Sequence, residues 1–183
     1  LGDVYKRQEH NMKILSKQKN SRMCMICGLD NEYGVNAPFY NMEDGSVMTV
    51  FRYKEQHQSY PGRVHGGMIT AMLDEMGLRS LWAKELSEET FGVTISLDTK
   101  YRKPVPYETE LIGRGVVVKN TRHFIITDSY IMDKDGEILA NGRIKYIKMD
   151  TQKIQEGVEV HEEMPYLVED GRTEIEGPFF DNL

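Results

Sequence analysis

Residues 60–77, YPGRVHGGMITAMLDEMG, place His65-Gly66-Gly67 directly before an apolar run that carries Asp74 and Glu75. Glycines at a helix start and an acid inside an apolar helix both cost stability. The first backbone N–H groups of a helix have no intrahelical partner, and the helix dipole is positive there. Glycine at that point lets a ligand oxygen approach the backbone with no Cβ in the way. A buried, unpaired Asp74 would cost several kcal/mol, so it must face a cleft or titrate. The same letters also spell a plain turn followed by an amphipathic helix with a polar Asp74-Glu75 stripe.

The elements around this stretch narrow the choice. Ile69, Met72, Leu73, Met76, Leu81 and Trp82 form a wide apolar stripe, which predicts a helix from Gly66 to about residue 86. Before it, residues 35–56 hold two apolar runs around Asp44-Gly45, a hairpin signal. After it come four runs of strand character, at 91–106, 108–120, 121–133 and 136–150, and turn chemistry between the last three predicts a meander. One long helix among antiparallel strands is buried most simply by a sheet wrapped around it. The expected class is α+β, an antiparallel sheet around one central helix. The expected organisation is a polar N-terminal segment over 1–20, disordered, with Met12 as a candidate initiator; an entry segment over 21–35; the main domain over 36–150; and an acidic C-terminal tail over 151–183. That tail is expected to lie extended on the surface or on a partner subunit, anchored by Met164, Tyr166, Leu167, Phe179 and Phe180.

Bulk properties exclude several roles. With 183 residues, 39% of them apolar, the chain suits one domain with a sizeable core. A formal net charge of -6 argues against a nucleic-acid surface, which needs a basic stripe. No apolar run is long enough to span a bilayer or form a signal-peptide core, so a cytoplasmic protein is expected.

The helix motif VHGGMITAMLDEMG, the strand ISLDTKYRKPVP and the preceding CMICGLDNEYGV together resemble the hotdog-fold thioesterases of the phenylacetate-type (PaaI-like) family, over roughly residues 24 to 150. The resemblance rests on a conjunction: His-Gly-Gly, an acid seven residues after the second glycine, a glycine three later, and a strand ending in Tyr-x-x-Pro. It implies a hotdog fold and hydrolysis of acyl-coenzyme A thioesters by a homodimer or homotetramer with sites between subunits. Coenzyme A would be part of the substrate, and no separate cofactor is expected. Asp74 matches the family's acid and is the candidate base or nucleophile. Gly67, with Gly66, would polarise the thioester carbonyl. His65 would orient the Gly-Gly backbone, or touch the carbonyl. Thr94 matches a position where some relatives carry a hydroxyl that positions water. Ser59 stands near a spot where other branches have an amide. Arg102 and Lys103 first, then Arg114, Lys119 and Arg122, are the candidates for coenzyme phosphates, although most such residues are solvated strand and turn positions.

Cys24-x-x-Cys27-Gly28 is half of a zinc pattern, but the sequence offers no second pair and the histidines show no ligand spacing, so a packing knuckle and no metal are expected. The competing reading of the whole is a hotdog protein that binds acyl-CoA without hydrolysing it, as a ligand sensor. Retention of Asp74 with both glycines favours the enzyme. Gly67 and Asp74 are seven positions apart, so about 10 Å along one helix. Reacting atoms must come within about 3–3.5 Å. Two helices antiparallel about a two-fold axis would bring Gly67 of one chain beside Asp74 of its neighbour.

Overall fold

The computed structural model describes residues 11–85, 91–149 and 163–177. The helix α1 runs Gly66–Glu85 and is preceded by β1 (Met12–Lys17), β2 (Tyr40–Met42), β3 (Val47–Phe51) and a two-stranded hairpin of β4 (Gln58–Tyr60) and β5 (Arg63–Val64). After it come β6 (Phe91–Tyr101), β7 (Leu111–Asn120), β8 (Phe124–Met132), β9 (Ile138–Met149) and the short β10 (Glu174–Ile175). Eight strands form one sheet in the order β10-β1-β2-β3-β7-β8-β9-β6, with every pairing antiparallel. The hairpin at Asp44-Gly45 is present, with Gly45 at φ +78°, a conformation that favours glycine. The meander β7-β8-β9 is present too, and β6 closes it by lying along the far side of β9.

The sheet curls round α1, and the helix buries residues on nearly every side, from Ile69, Met72, Leu73 and Met76 to Leu81 and Trp82. Side chains of this size contribute about 1.5–3 kcal/mol each when fully buried. Where β7 crosses the helix it carries Gly115: a Cβ there would stand 2.5 Å from the carbonyl oxygen of Met76. This is a hotdog fold.

The N-terminal expectation needs correction. Residues 12–17 are not disordered but form β1, in which Met12 and Ile14 turn inward on the sheet and pack with Tyr40, Met42 and Ile175, while Lys13 and Leu15 face out. The sheet therefore starts well before residue 36, although residues 1–10 lie outside the described residues. The described part of the tail, 163–177, lies on its own chain. Tyr166 bridges Asn20, Met164 is buried, and β10 pairs with β1. Leu167 is exposed rather than an anchor, and Ile175, 1% exposed, does that work instead. Phe179 and Phe180 fall outside the described residues.

Candidate active site

Asp74 lies in the middle of α1, half-buried, with its carboxylate turned toward β6. The Thr94 hydroxyl donates to it, 2.9 Å from Oδ1 and 3.1 Å from Oδ2. A bulge in the β6–β9 ladder between Thr94 and Ser96 sits at this contact, the sort of irregularity that re-aims a side chain. Burial pushes the Asp74 carboxyl above its ordinary value, while hydrogen bonds from Thr94 and Tyr146 hold it back and the neighbouring Glu75 charge adds to the rise. The Tyr146 hydroxyl also donates to the Asp74 backbone carbonyl at 2.7 Å. Its ring passes over Gly77, where an added Cβ would stand 2.2 Å from that hydroxyl oxygen and 2.6 Å from Thr127 Oγ1. The glycine three residues after the acid is therefore the opening through which Tyr146 reaches the helix.

The helix start is built by the turn before it. His57 is buried; its Nδ1 accepts the Lys54 N–H at 3.0 Å, which leaves Nε2–H to donate to the Tyr33 carbonyl at 2.7 Å. The His57 carbonyl in turn accepts the His65 N–H at 2.8 Å. Thus held, His65 turns its ring back on the helix, and Nδ1 accepts the Gly67 N–H at 2.9 Å. Beside Gly66 and Gly67 opens a cleft of about 520 Å3, lined also by Arg63, Tyr101, Arg102 and Lys103. Tyr101 closes one wall, donating to the Gly66 carbonyl at 3.1 Å, and its hydroxyl lies 2.7 Å from Thr70 Oγ1.

The structure brings some of the candidates together and separates others. Gly66, Gly67, His65, Arg102 and Lys103 gather at one end of α1, and Asp74 meets Thr94 further along it. Arg102 is steadied by Asn141 at 2.6 Å, and Lys103 pairs with Glu137. Arg114 does not reach the cleft: it pairs with Asp44 across the β3–β7 edge at 2.7 Å. Lys119 and Arg122 sit exposed at the far end of β7 and in the turn after it, and Ser59 is exposed on β4; none of the three lines the cleft. Glu75 pairs within its own helix with Arg79 at 2.7 Å, and Arg79 is 1% exposed, under the entry segment. The sequence reading does not reach Tyr146 and Arg79, and it uses Tyr101 only as the start of the Tyr-x-x-Pro motif. Only the small residue at 77 hinted that something large must pass there.

The chain has a hotdog fold, and residues 61–140 of it match the thioesterase superfamily model. Among curated proteins, the chain is 25% identical over 150 residues to acyl-coenzyme A thioesterase THEM4 of Rattus norvegicus, covering 81% of this chain and 60% of that protein. It is 23% identical over 100 residues to acyl-coenzyme A thioesterase 13 of Homo sapiens, covering 54% of this chain and 70% of that one. A solved thioesterase superfamily protein superposes with a TM-score of 0.61 at 26% identity, over 68% of this chain and 63% of that chain. A hypothetical thioesterase from Streptococcus pneumoniae TIGR4, solved with coenzyme A, superposes with a TM-score of 0.56 at 20% identity, over 63% of this chain and 90% of that chain. The chain thus spans 60% of the length of the THEM4 relative. No helix among the described residues is long and apolar enough to cross a membrane.

Proposed function

We propose that the chain hydrolyses acyl-coenzyme A thioesters, at sites each shared by two copies of it. The observation that carries the reading is a separation. The cleft with the Gly66-Gly67 helix start and the cations Arg63, Arg102 and Lys103 does not include Asp74, the helix carboxylate held by the Thr94 hydroxyl. Seven residues of helix put the two about 10 Å apart along the axis. A second α1, antiparallel to the first, supplies the missing half. The sheet offers the seam for it: β6 is the terminal strand, eleven residues long, and exposes Val93 and Ile95. A long edge strand of this kind is stabilised by pairing.

In the shared site the thioester carbonyl takes the Gly67 N–H in place of His65 Nδ1, and the helix dipole polarises it. The ionised Asp74 of the neighbouring copy either draws a proton from an attacking water or attacks the carbonyl carbon itself. In both cases the tetrahedral intermediate collapses with loss of the coenzyme thiolate; by the first route the acid leaves directly, and by the second water cleaves the acyl–Asp74 anhydride, releasing the acid and restoring the carboxylate. A thiolate leaves easily, so one carboxylate and one oxyanion donor suffice without a cofactor. Arg102 and Lys103 at the cleft mouth meet the coenzyme phosphates.

The test mixes two inactive chains, Asp74→Asn and Gly67→Val. Mixed dimers hold one intact site, so activity rises well above either parent. If mixed dimers form and no activity returns, the shared site is wrong. If the wild-type chain binds acyl-CoA and releases no thiol, the chain is a binder and not a hydrolase.

A further inference from the structure

The entry segment folds back on α1 through the turn Cys24-Met25-Ile26-Cys27-Gly28. Gly28 N–H donates to the Cys24 carbonyl at 2.9 Å, and Ile26 N–H donates to Cys24 Sγ at 3.3 Å. A Cβ on residue 28 would stand 2.5 Å from the Cys24 backbone nitrogen and oxygen, so glycine alone closes the turn this tightly. The turn leaves both sulfurs facing the helix. There Glu75 completes a cluster: Cys24 Sγ lies 3.9 Å from Glu75 Oε2, and the two sulfurs and a carboxylate oxygen are all within 4.8 Å of one another. Ligand atoms on a tetrahedral zinc ion, with bonds of about 2.3 Å to sulfur and about 2.0–2.2 Å to oxygen, stand about 3.5–3.8 Å apart. Small side-chain rotations bring the cluster to that spacing.

We propose that Cys24, Cys27 and Glu75 form a site for a thiophilic divalent cation of the zinc type, with a fourth position filled by water or by Ser21 Oγ, which lies 3.2 Å from Cys27 Sγ. The carboxylate is aimed from behind. Arg79 Nε donates to Glu75 Oε1 at 2.7 Å, leaving Oε2 toward the sulfurs. Arg79 is itself fixed, donating to Gln18 Oε1 and to the Lys19 carbonyl at 3.1 Å each. Such outer partners orient metal-ligating carboxylates. The charges also close: two thiolates and Glu75 balance a dication and Arg79, so a neutral group is buried. A packing knuckle has no use for a carboxylate held against its sulfurs, and the sequence hides this ligand because Glu75 lies 48 residues beyond Cys27 on another element. The cation would rivet the entry segment to α1 one residue from Asp74. The site stands independently of the acyl-CoA reading.

The probe is Co2+, added to the whole chain under reducing conditions and then displaced by Zn2+. One equivalent of cobalt should give a thiolate charge-transfer band with the strong visible absorption of tetrahedral Co2+, and one equivalent of zinc should abolish both. Zinc should also raise the melting temperature of the wild-type chain, since it binds only the folded state tightly. Cys24→Ser should lose most of the charge-transfer band, and Glu75→Gln should weaken binding by about tenfold or more while keeping the band. Absence of a one-to-one cobalt–thiolate spectrum in the folded, reduced wild type overturns the proposal whatever the variants do. Unchanged affinity in a folded Glu75→Gln chain overturns it as well.

Discussion

Tyr146 donates its hydroxyl proton to the backbone carbonyl of Asp74, 72 positions earlier, at 2.7 Å, and it does so through the space that Gly77 leaves empty. The contact ties β9 to the turn of helix that carries the candidate catalytic acid, so the position of Asp74 depends on a residue with no side chain. Replacing Gly77 by Ala must move Tyr146, Thr127 or the helix itself. Overpacking of this kind costs about 1–3 kcal/mol. Displacement of the acid by even part of an ångström should lower kcat by about tenfold or more. Thermal melts and steady-state rates with a good acyl-CoA substrate test both; a fully active, fully stable Gly77→Ala chain would show that Tyr146 places nothing.

Asp74→Asn separates chemistry from stability. Loss of the base should lower kcat by about 10²–10⁴. The fold should not suffer. Because the folded-state pKa of Asp74 is raised, its contribution to stability is fully present below the unfolded value and is lost as pH rises through the folded value. At neutral pH the charged acid is therefore a net cost, and the uncharged Asn chain should melt no lower than wild type. A large drop in melting temperature would mean that the carboxylate is a structural partner rather than a strained functional group.

The same shift sets a pH profile. The acid limb of kcat/KM should lie above the ordinary carboxylate value of about 3.9. Thr94 donates to the ionised form and lowers the pKa, so Thr94→Val should move this limb to higher pH. Rate–pH curves of the two chains, measured on one substrate, decide it. A limb that stays in place assigns the titration to some other group.

Asp170 gives a prediction about the tail. Burial alone would raise its carboxyl, but hydrogen bonds from Lys17 and Tyr40, with the Lys17 charge, hold it down at about 2. The Lys17 ion pair measures 2.5 Å. The sign is opposite to that of Asp74: the stabilisation is present above the unfolded value of about 3.9 and is lost as pH falls through about 2. Asp170→Asn should therefore speed hydrogen exchange in residues 163–177 at neutral pH, and the difference from wild type should shrink to nothing near pH 2. Equal exchange at both pH values would remove Asp170 from the docking of the tail.

The sequence carried the helix and its glycine start plainly, because a wide apolar stripe preceded by two glycines has few other uses. Asp74 stands out as an acid inside an apolar helix, but Thr94 is reached only through the family resemblance, since a strand threonine by itself is just a good strand former, and nothing in the sequence pairs the two. Tyr146 and Arg79 stayed hidden for a physical reason. Their partners lie across the sheet or under the entry segment, and local periodicity holds no information on such contacts. Arg79 also breaks the rule that charge faces water, which is why its burial against Glu75, Gln18 and Lys19 could not be guessed. β1 leaves a weak pattern: Met12-Lys13-Ile14 alternates, Leu15 breaks the alternation, and the lysine content outweighs what is left. β10, two residues long, leaves no pattern at all.

The place of β6 in the sheet has a consequence for synthesis. Its partner within the chain, β9, begins at Ile138, 37 positions after β6 ends at Tyr101. A nascent chain that emerges in order must hold β6 unpaired while β7 and β8 are still being made, with Val93 and Ile95 bare along an edge. Lys100, Arg102 and Lys103 crowd the end of that strand. Like charges there oppose the stacking of one incomplete chain on another. Arg102 and Lys103, which line the cleft of the folded chain, are thus also placed to oppose such stacking before there is any cleft to line.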